Sequence, residues 1–365
     1  MSPFDLTRTL PADAMGAALR ADVRDGLTHD PKQLPPKWFY DAHGSELFEE
    51  ITRLPEYYPT RAEREILEEQ AKTIADITRA RTLVELGSGS SEKTRLLIGA
   101  LGAPLTYIPV DVSESALDGA GRALLADHPG LTVHALVADF QRGLELHLGS
   151  AALPSRSHSA STPLRPSAHP SSLGQDPQPA LHLGSAAPPT PGPRLVAFLG
   201  GTIGNLLPEE RAAFLASVRA VLAPEDTFLL GTDLVKDEAT LVAAYDDAQG
   251  VTAAFNKNVL TVIDRELGAD FDPADFDHLA LWDRENEWIE MRLRARRNLT
   301  VKVPALDLTA DFEAGEEMRT EVSAKFREEG VRAELAAAGM RLRHWWTDRK
   351  GRFALSLASP ASPER

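Results

Sequence analysis

Two glycine-rich stretches hold the residues best suited to chemistry. "TLVELGSGSSEKT" runs from Thr82 to Thr94 and "LVAFLGGTIGN" from Leu195 to Asn205, each a buried strand ending in glycines and small polar residues. Neither has the GxxxxGK[ST] spacing of a phosphate-gripping loop. In an open α/β sheet, ligands sit beyond the carboxyl ends of strands, where glycine turns let backbone amides come close. Two such turns in one chain suit a reaction between two small molecules, one held by each. An acidic residue ending the next strand, Asp111 in "IPVDVS", is placed to accept ribose hydroxyls. Asp139 and Phe140, ending "VADF", are placed to hold and cover an adenine. From the pattern alone, S-adenosylmethionine and a nicotinamide or flavin dinucleotide both stay open. GSGSSE lacks the third glycine of GxGxxG, which favours the former.

The elements that must carry these loops alternate. A helix over "PTRAEREILEEQAKTIADI" opens with Thr60 and Glu63 at capping-box spacing and bears an Ile66, Leu67, Ile74, Ile77 stripe. Strand "TLVEL", helix "SEKTRLLIGAL", strand "LTYIPVD", helix "ESALDGAGRALLADH" and strand "LTVHALVADF" follow. Later come strand "LVAFLG", a helix begun by Pro208, and strand "DTFLLGTDLV". Such alternation implies a mainly parallel sheet with helices on both faces. "RLRHWWTDRKGRFALSLAS" adds an antiparallel hairpin, and a parallel core closed that way is the outline of a class I (Rossmann-like) methyltransferase. The expected division is a cofactor-binding core of residues 61–235 and 325–365, with 1–60 and 236–324 forming an α+β substrate-binding lobe. In the latter, "EWIEMRLRARRNLTVKV" alternates polar and apolar residues as half-exposed antiparallel strands do.

Composition narrows the partners. The 365-residue chain carries a net charge of −15 and no cysteine, which excludes disulfides and thiolate chemistry. Nucleic acid needs a basic footprint that is absent here. No signal-length apolar segment and no membrane-length run occurs, so a cytoplasmic protein with a small-molecule partner is expected. Between residues 144 and 193 the chain turns Ser-, Pro- and Ala-rich, and "LHLGSAA" recurs at 146–152 and 181–187. This reads as a disordered, locally duplicated insert. Its four histidines (His147, His158, His169, His182) have no organising spacing, and no metal site is assigned to them or elsewhere.

Longer blocks carry a more specific signal. "PKWFYDAHGSELFEEITRLPEYYPTRAE", "FLGGTIGNLLPEE", "LGTDLVKD", "AYDDAQGVTAAFNKN" and "GEEMRTEVSAKFR" together resemble the L-histidine Nα-methyltransferases of the ergothioneine pathway. The resemblance runs from about Pro35 to the C-terminus and fails only in the insert. It implies transfer of three methyl groups from S-adenosylmethionine to the α-amine of histidine, by a monomer without a metal. By the same resemblance, Gly87, Lys93, Asp111, Asp139 and Phe140 contact the cofactor. Tyr57, Gly200, Thr202, Asn205, Tyr245, Glu321 and Ser323 would hold histidine, with Tyr40, Phe48, Phe255 and Met291 lining the pocket. No catalytic residue is certain; Asn205, Tyr40 and Tyr57 are expected to position.

The implied chemistry suits these types. A neutral amine attacking a sulfonium methyl needs positioning and desolvation rather than a covalent nucleophile. In a strand, Glu321 and Ser323 share one face, a carboxylate and a hydroxyl for the two imidazole nitrogens. Read without the resemblance, they are an ordinary solvated strand face. The alternatives are an N-methyltransferase for another free amino acid or aromatic amine, and a non-enzymatic S-adenosylmethionine-binding protein. A protein or nucleic-acid methyltransferase fits the acidic chain less well.

Overall fold

The computed structural model describes residues 3–11, 13–89, 92–139 and 192–361. In chain order the first elements are β1 (Phe4–Arg8), α1 (Ala14–Thr28), α2 (Ala42–Ile51), α3 (Pro59–Thr78), β2 (Thr82–Leu86), α4 (Thr94–Leu101), β3 (Leu105–Asp111), α5 (Glu114–Asp127) and β4 (Leu131–Val137). Then come β5 (Arg194–Phe198), α6 (Pro208–Val221), β6 (Thr227–Asp233), α7 (Glu238–Ala243) and α8 (Val251–Leu267). The chain ends with β7 (Phe276–Asp283), β8 (Trp288–Ala295), β9 (Leu299–Val303), β10 (Leu308–Phe312), β11 (Glu317–Ala324), α9 (Glu328–Ala337), β12 (Met340–Thr347) and β13 (Phe353–Pro360).

Eight strands form one sheet in the order β1-β4-β3-β2-β5-β6-β13-β12. All neighbours from β1 to β6 are parallel, and β13 runs antiparallel to both β6 and β12. This is the class I methyltransferase outline expected from the sequence, with the hairpin where it was read. From β2, chain order runs outward through β3 and β4 on one side and through β5 and β6 on the other, so the crevice opens at the carboxyl ends of β2 and β5. The two glycine loops start there. β2 is buried along its whole length, as a central parallel strand covered on both faces must be.

A second apolar core lies apart from the sheet. Leu19 and Val23 of α1, Phe39, Val259 and Ile263 of α8, and Ile289 and Met291 of β8 all pack into it. It rests on a three-stranded sheet (β11-β8-β7) and a β9-β10 pair, all antiparallel. Two expectations are corrected. Residues 4–8, assigned to the second lobe, form β1 and pair with β4 on the main sheet's edge, Leu6 opposite Ala135. The Thr60/Glu63 capping box does not form: α3 begins at Pro59 behind Tyr58 without a side-chain cap. Glu63 turns inward instead, because a better set of donors waits there. The insert, residues 144–193, lies outside the described residues except for its last two. Among the described residues, no helix is long and apolar enough to cross a membrane.

Candidate active site

The first glycine loop leaves β2 with Gly87 and Gly89 at φ of 65° and 49°, conformations that favour glycine. Gly87 N–H donates to the Val110 carbonyl at 2.8 Å, which ties the loop to the end of β3. Asp111 is oriented by two backbone donors: Gly89 N–H at 3.0 Å and Ser113 N–H at 2.9 Å. Its carboxylate oxygens keep further lone pairs for a ligand. Ser88 Oγ is buried with no hydrogen-bond partner among the described residues, and a buried orphan of this kind calls for one. Asp139 lies just beyond β4, next to Ala138, whose N–H reaches the Asp111 carbonyl at 3.0 Å. Phe140 lies outside the described residues. The residues present therefore suit an amino-acid-linked nucleoside such as S-adenosylmethionine.

The second loop is fastened from below. Gly200 N–H donates to both oxygens of Glu63, at 2.8 and 3.0 Å, and the same fully buried carboxylate pairs with Lys93. Lys93 thus joins the first loop's helix, α3 and the second loop through one charge. Gly231 on β6 leaves the space, since a methyl group there would collide with Glu63 Oε1. Thr202–Asn205 form a 3-10 turn against β11. A Cβ on Gly204 would sit 2.8 Å from the Ala324 carbonyl and 3.6 Å from Ser323 Oγ, so only glycine permits this approach. Asn205 closes that turn, half-buried.

β11 brings the other half. Its register slips between Arg319 and Glu321, a bulge that re-aims the following side chains. Glu321 then faces Met291 across the β8 pairing, on the same face as Ser323. Ser323 Oγ is 2.7 Å from the Tyr245 hydroxyl. Lys325 donates to Tyr245 at 2.9 Å and to Ser323 at 2.8 Å, and pairs with Asp233 at 3.1 Å. Asp233, at the end of β6, also accepts from Tyr58 at 2.8 Å and from Lys236 at 2.7 Å. Behind Tyr245, His278 donates from Nε2 to the Tyr245 carbonyl at 2.8 Å and accepts from Asn256 at Nδ1 at 2.8 Å. Burial lowers its pKa and keeps it neutral.

Titration follows burial. Desolvation raises Glu321 to about 7, opposed by the Lys325 charge, although the residue is half-buried rather than fully enclosed. Desolvation and the nearby Glu321 carboxylate also hold the Tyr40, Tyr57 and Tyr245 phenols well above their ordinary value. These hydroxyls are therefore protonated donors and not bases. Tyr40 is 46% exposed. It stands edge-on to Phe48 at 5.5 Å and to Phe255 at 5.2 Å, while Phe48 meets Tyr57 at 6.1 Å. Three rings from residues 40–57 and one from α8 make one wall.

The family model for histidine-specific, S-adenosylmethionine-dependent methyltransferases matches residues 19–163 and 176–360. The chain belongs to this family. A relative named histidine N-alpha-methyltransferase, from Mycolicibacterium smegmatis, is 52% identical over 97% of this chain and 99% of its own. One of the same name from Mycobacterium tuberculosis is 50% identical over 96% of this chain and 97% of its own. The ergothioneine biosynthesis protein 1 of Neurospora crassa is 29% identical over 65% of this chain and 23% of its own. This methyltransferase also has site residues that its sequence did not reveal by pattern. Glu63 reads as half of a capping box, and no pattern singles out Asp233, Lys325, Tyr58 or Lys236. The available signal was their burial, which sequence periodicity gives for apolar residues and not for paired charges.

Proposed function

We propose that this enzyme transfers three methyl groups from S-adenosylmethionine to the α-amine of L-histidine, giving histidine betaine (hercynine), the first step of ergothioneine biosynthesis. The observation that carries the reading is the placement of Glu321, Ser323 and Tyr245 beside the Thr202–Asn205 turn. The near-full-length identity to two histidine N-alpha-methyltransferases supports it. In this reading Gly87, Lys93, Asp111, Asp139 and Phe140 hold the donor, Glu321 and Ser323 the imidazole, and Tyr57, Tyr245, Gly200, Thr202 and Asn205 the amino acid's polar end.

S-adenosylmethionine supplies a methyl group on a sulfonium, an electrophile that a free amine attacks in line. The chain's own work is to orient that amine and keep water away, and good orientation is worth up to about 7–11 kcal/mol. The amine must be neutral. With Tyr57 and Tyr245 held protonated, neither removes the proton, and a sulfonium nearby favours its loss to solvent. Each methylation removes a hydrogen-bond donor and leaves a bulkier cation. The Tyr40, Phe48, Tyr57 and Phe255 rings suit such a cation, by an attraction of about 0.5–2 kcal/mol.

Mass spectrometry of the full chain with S-adenosylmethionine and each common amino acid, separately, tests the reading. A gain of three methyl groups on histidine alone is expected. Methylation of a different amino acid or an aromatic amine would replace the substrate and leave the fold and donor in place.

A further inference from the structure

Behind the acceptor pocket lies a charged group that the transfer itself does not use. Lys325 has no exposed side-chain surface, and a buried ammonium is tolerated only when fully paired. Its three N–H bonds have three partners: Tyr245 Oη at 2.9 Å, Ser323 Oγ at 2.8 Å and Asp233 Oδ2 at 3.1 Å. Asp233 is in turn fixed by Tyr58 and Lys236, so the ammonium cannot drift. An apolar residue would fill a core position of this kind with less desolvation cost. The chain has a lysine here, and beside its ion pair with Asp233 its two hydrogen bonds end on the Tyr245 and Ser323 hydroxyls.

Counting protons and lone pairs gives the consequence. Two hydroxyls have two protons and four lone pairs. Lys325 fills one lone pair on each oxygen. The 2.7 Å contact between Tyr245 and Ser323 uses one proton and one more lone pair. One proton and one lone pair remain for a ligand, and they sit on different oxygens. When Tyr245 turns its proton to a substrate carboxylate, Ser323 donates to Tyr245 and meets the ring only as an acceptor. The ring nitrogen at Ser323 then carries hydrogen. The other nitrogen completes a hydrogen bond with the Glu321 carboxylate only if one proton lies between them.

We propose that Lys325 is a positioning residue that imposes this polarity, so that the pocket selects a ring with two nitrogens and binds it with one proton shared with Glu321. This rests on the reading that Glu321, Ser323 and Tyr245 receive histidine. The groups facing Glu321 agree with it. Lys325 follows directly after the same strand, and Tyr40, Tyr57 and Tyr245 come from other elements as neutral phenols. A carboxyl that titrates at about 7 takes up a proton readily near neutrality.

Two measurements decide it. Histidine betaine has no amine proton, so calorimetric titration of the wild-type protein at pH 8, in buffers of different ionisation heat, reports the ring pair alone. Uptake of about one proton is expected, and no uptake overturns the proposal. Lys325→Met keeps length and removes charge. It should raise KM for histidine about tenfold or more with kcat changed less than about threefold, as loss of an aligned charged hydrogen-bond network implies. Affinity for S-adenosylhomocysteine should be unchanged. An unaltered KM, or an equal loss of S-adenosylhomocysteine affinity, overturns the positioning role. If that variant does not fold, the wild-type proton count decides by itself. A wild-type enzyme that binds S-adenosylhomocysteine yet leaves histidine unmethylated would instead overturn the substrate reading.

Discussion

The two ends of the cleft are built by different means. The proposed donor end is mostly backbone: glycines in left-handed conformations, amides aimed at Asp111, and strand ends in a parallel sheet. The proposed acceptor end is mostly side chain: Glu321, Ser323, Tyr245, Lys325 and Asp233, locked by paired charges and hydroxyls. Backbone geometry suits a cofactor shared by many reactions. A particular amino acid needs a particular constellation, and such constellations come from segments far apart in sequence. Glu63 and Lys93 stand between the two ends and touch both loops.

Breaking that junction should have the largest effect. Lys93→Met leaves the Glu63 carboxylate buried without its counter-charge, a loss of about 3–5 kcal/mol. Urea unfolding should show most of it restored by adding Glu63→Gln; a single variant as stable as the wild type would mean the two loops are not held by this pair. Next is Gly204→Ala, whose new methyl meets the Ala324 carbonyl at 2.8 Å. The overlap should cost about 1–3 kcal/mol and raise KM for histidine while S-adenosylhomocysteine affinity stays within about twofold. Equal damage to both ligands would erase the distinction between the ends. Asp111→Asn is the mirror test. It should weaken S-adenosylhomocysteine about tenfold, the worth of one charged hydrogen bond, with histidine KM at saturating donor unchanged.

The smallest effect sharpens the comparison through pH. Glu321 titrates at about 7 in the folded chain against 4.5 for an ordinary glutamate. The folded state therefore binds more protons than the unfolded one between those values. Stability from this group is complete below 4.5 and lost as pH rises through 7. Glu321→Gln escapes that loss, so its melting temperature should climb above the wild type's across this window and then run parallel. A constant difference from pH 5 to pH 8 would show that the carboxyl is not desolvated.

Most of the fold was legible in the sequence because strands and helices announce themselves by apolar period and glycine punctuation. "TLVEL", "LTYIPVD" and "LVAFLG" became β2, β3 and β5, and "RLRHWWTDRKGRFALSLAS" became the β12-β13 pair. β1 escaped notice because "FDLTR" is short, sits on the sheet edge and borrows its partner from β4, over a hundred residues away. Glu63 was misread for a related reason. Capping-box spacing is local, whereas the donors that captured its carboxylate, Gly200 and Lys93, are brought by the tertiary fold. The proposed donor end, apart from Lys93, could be read from strand-end position alone. The acceptor end could not: Glu321 and Ser323 gain meaning only when the β11 bulge, Gly204 and Tyr245 converge on them. In sequence, the resemblance to a known family singled them out.

The most direct test of the separation between donor and acceptor ends is a pair of calorimetric titrations on Glu321→Ala. The account predicts S-adenosylhomocysteine binding as in the wild type, with histidine affinity in the resulting complex reduced about a hundredfold, as an unpaired buried imidazole nitrogen implies. Histidine affinity left intact would contradict it, and the imidazole would have to be held elsewhere.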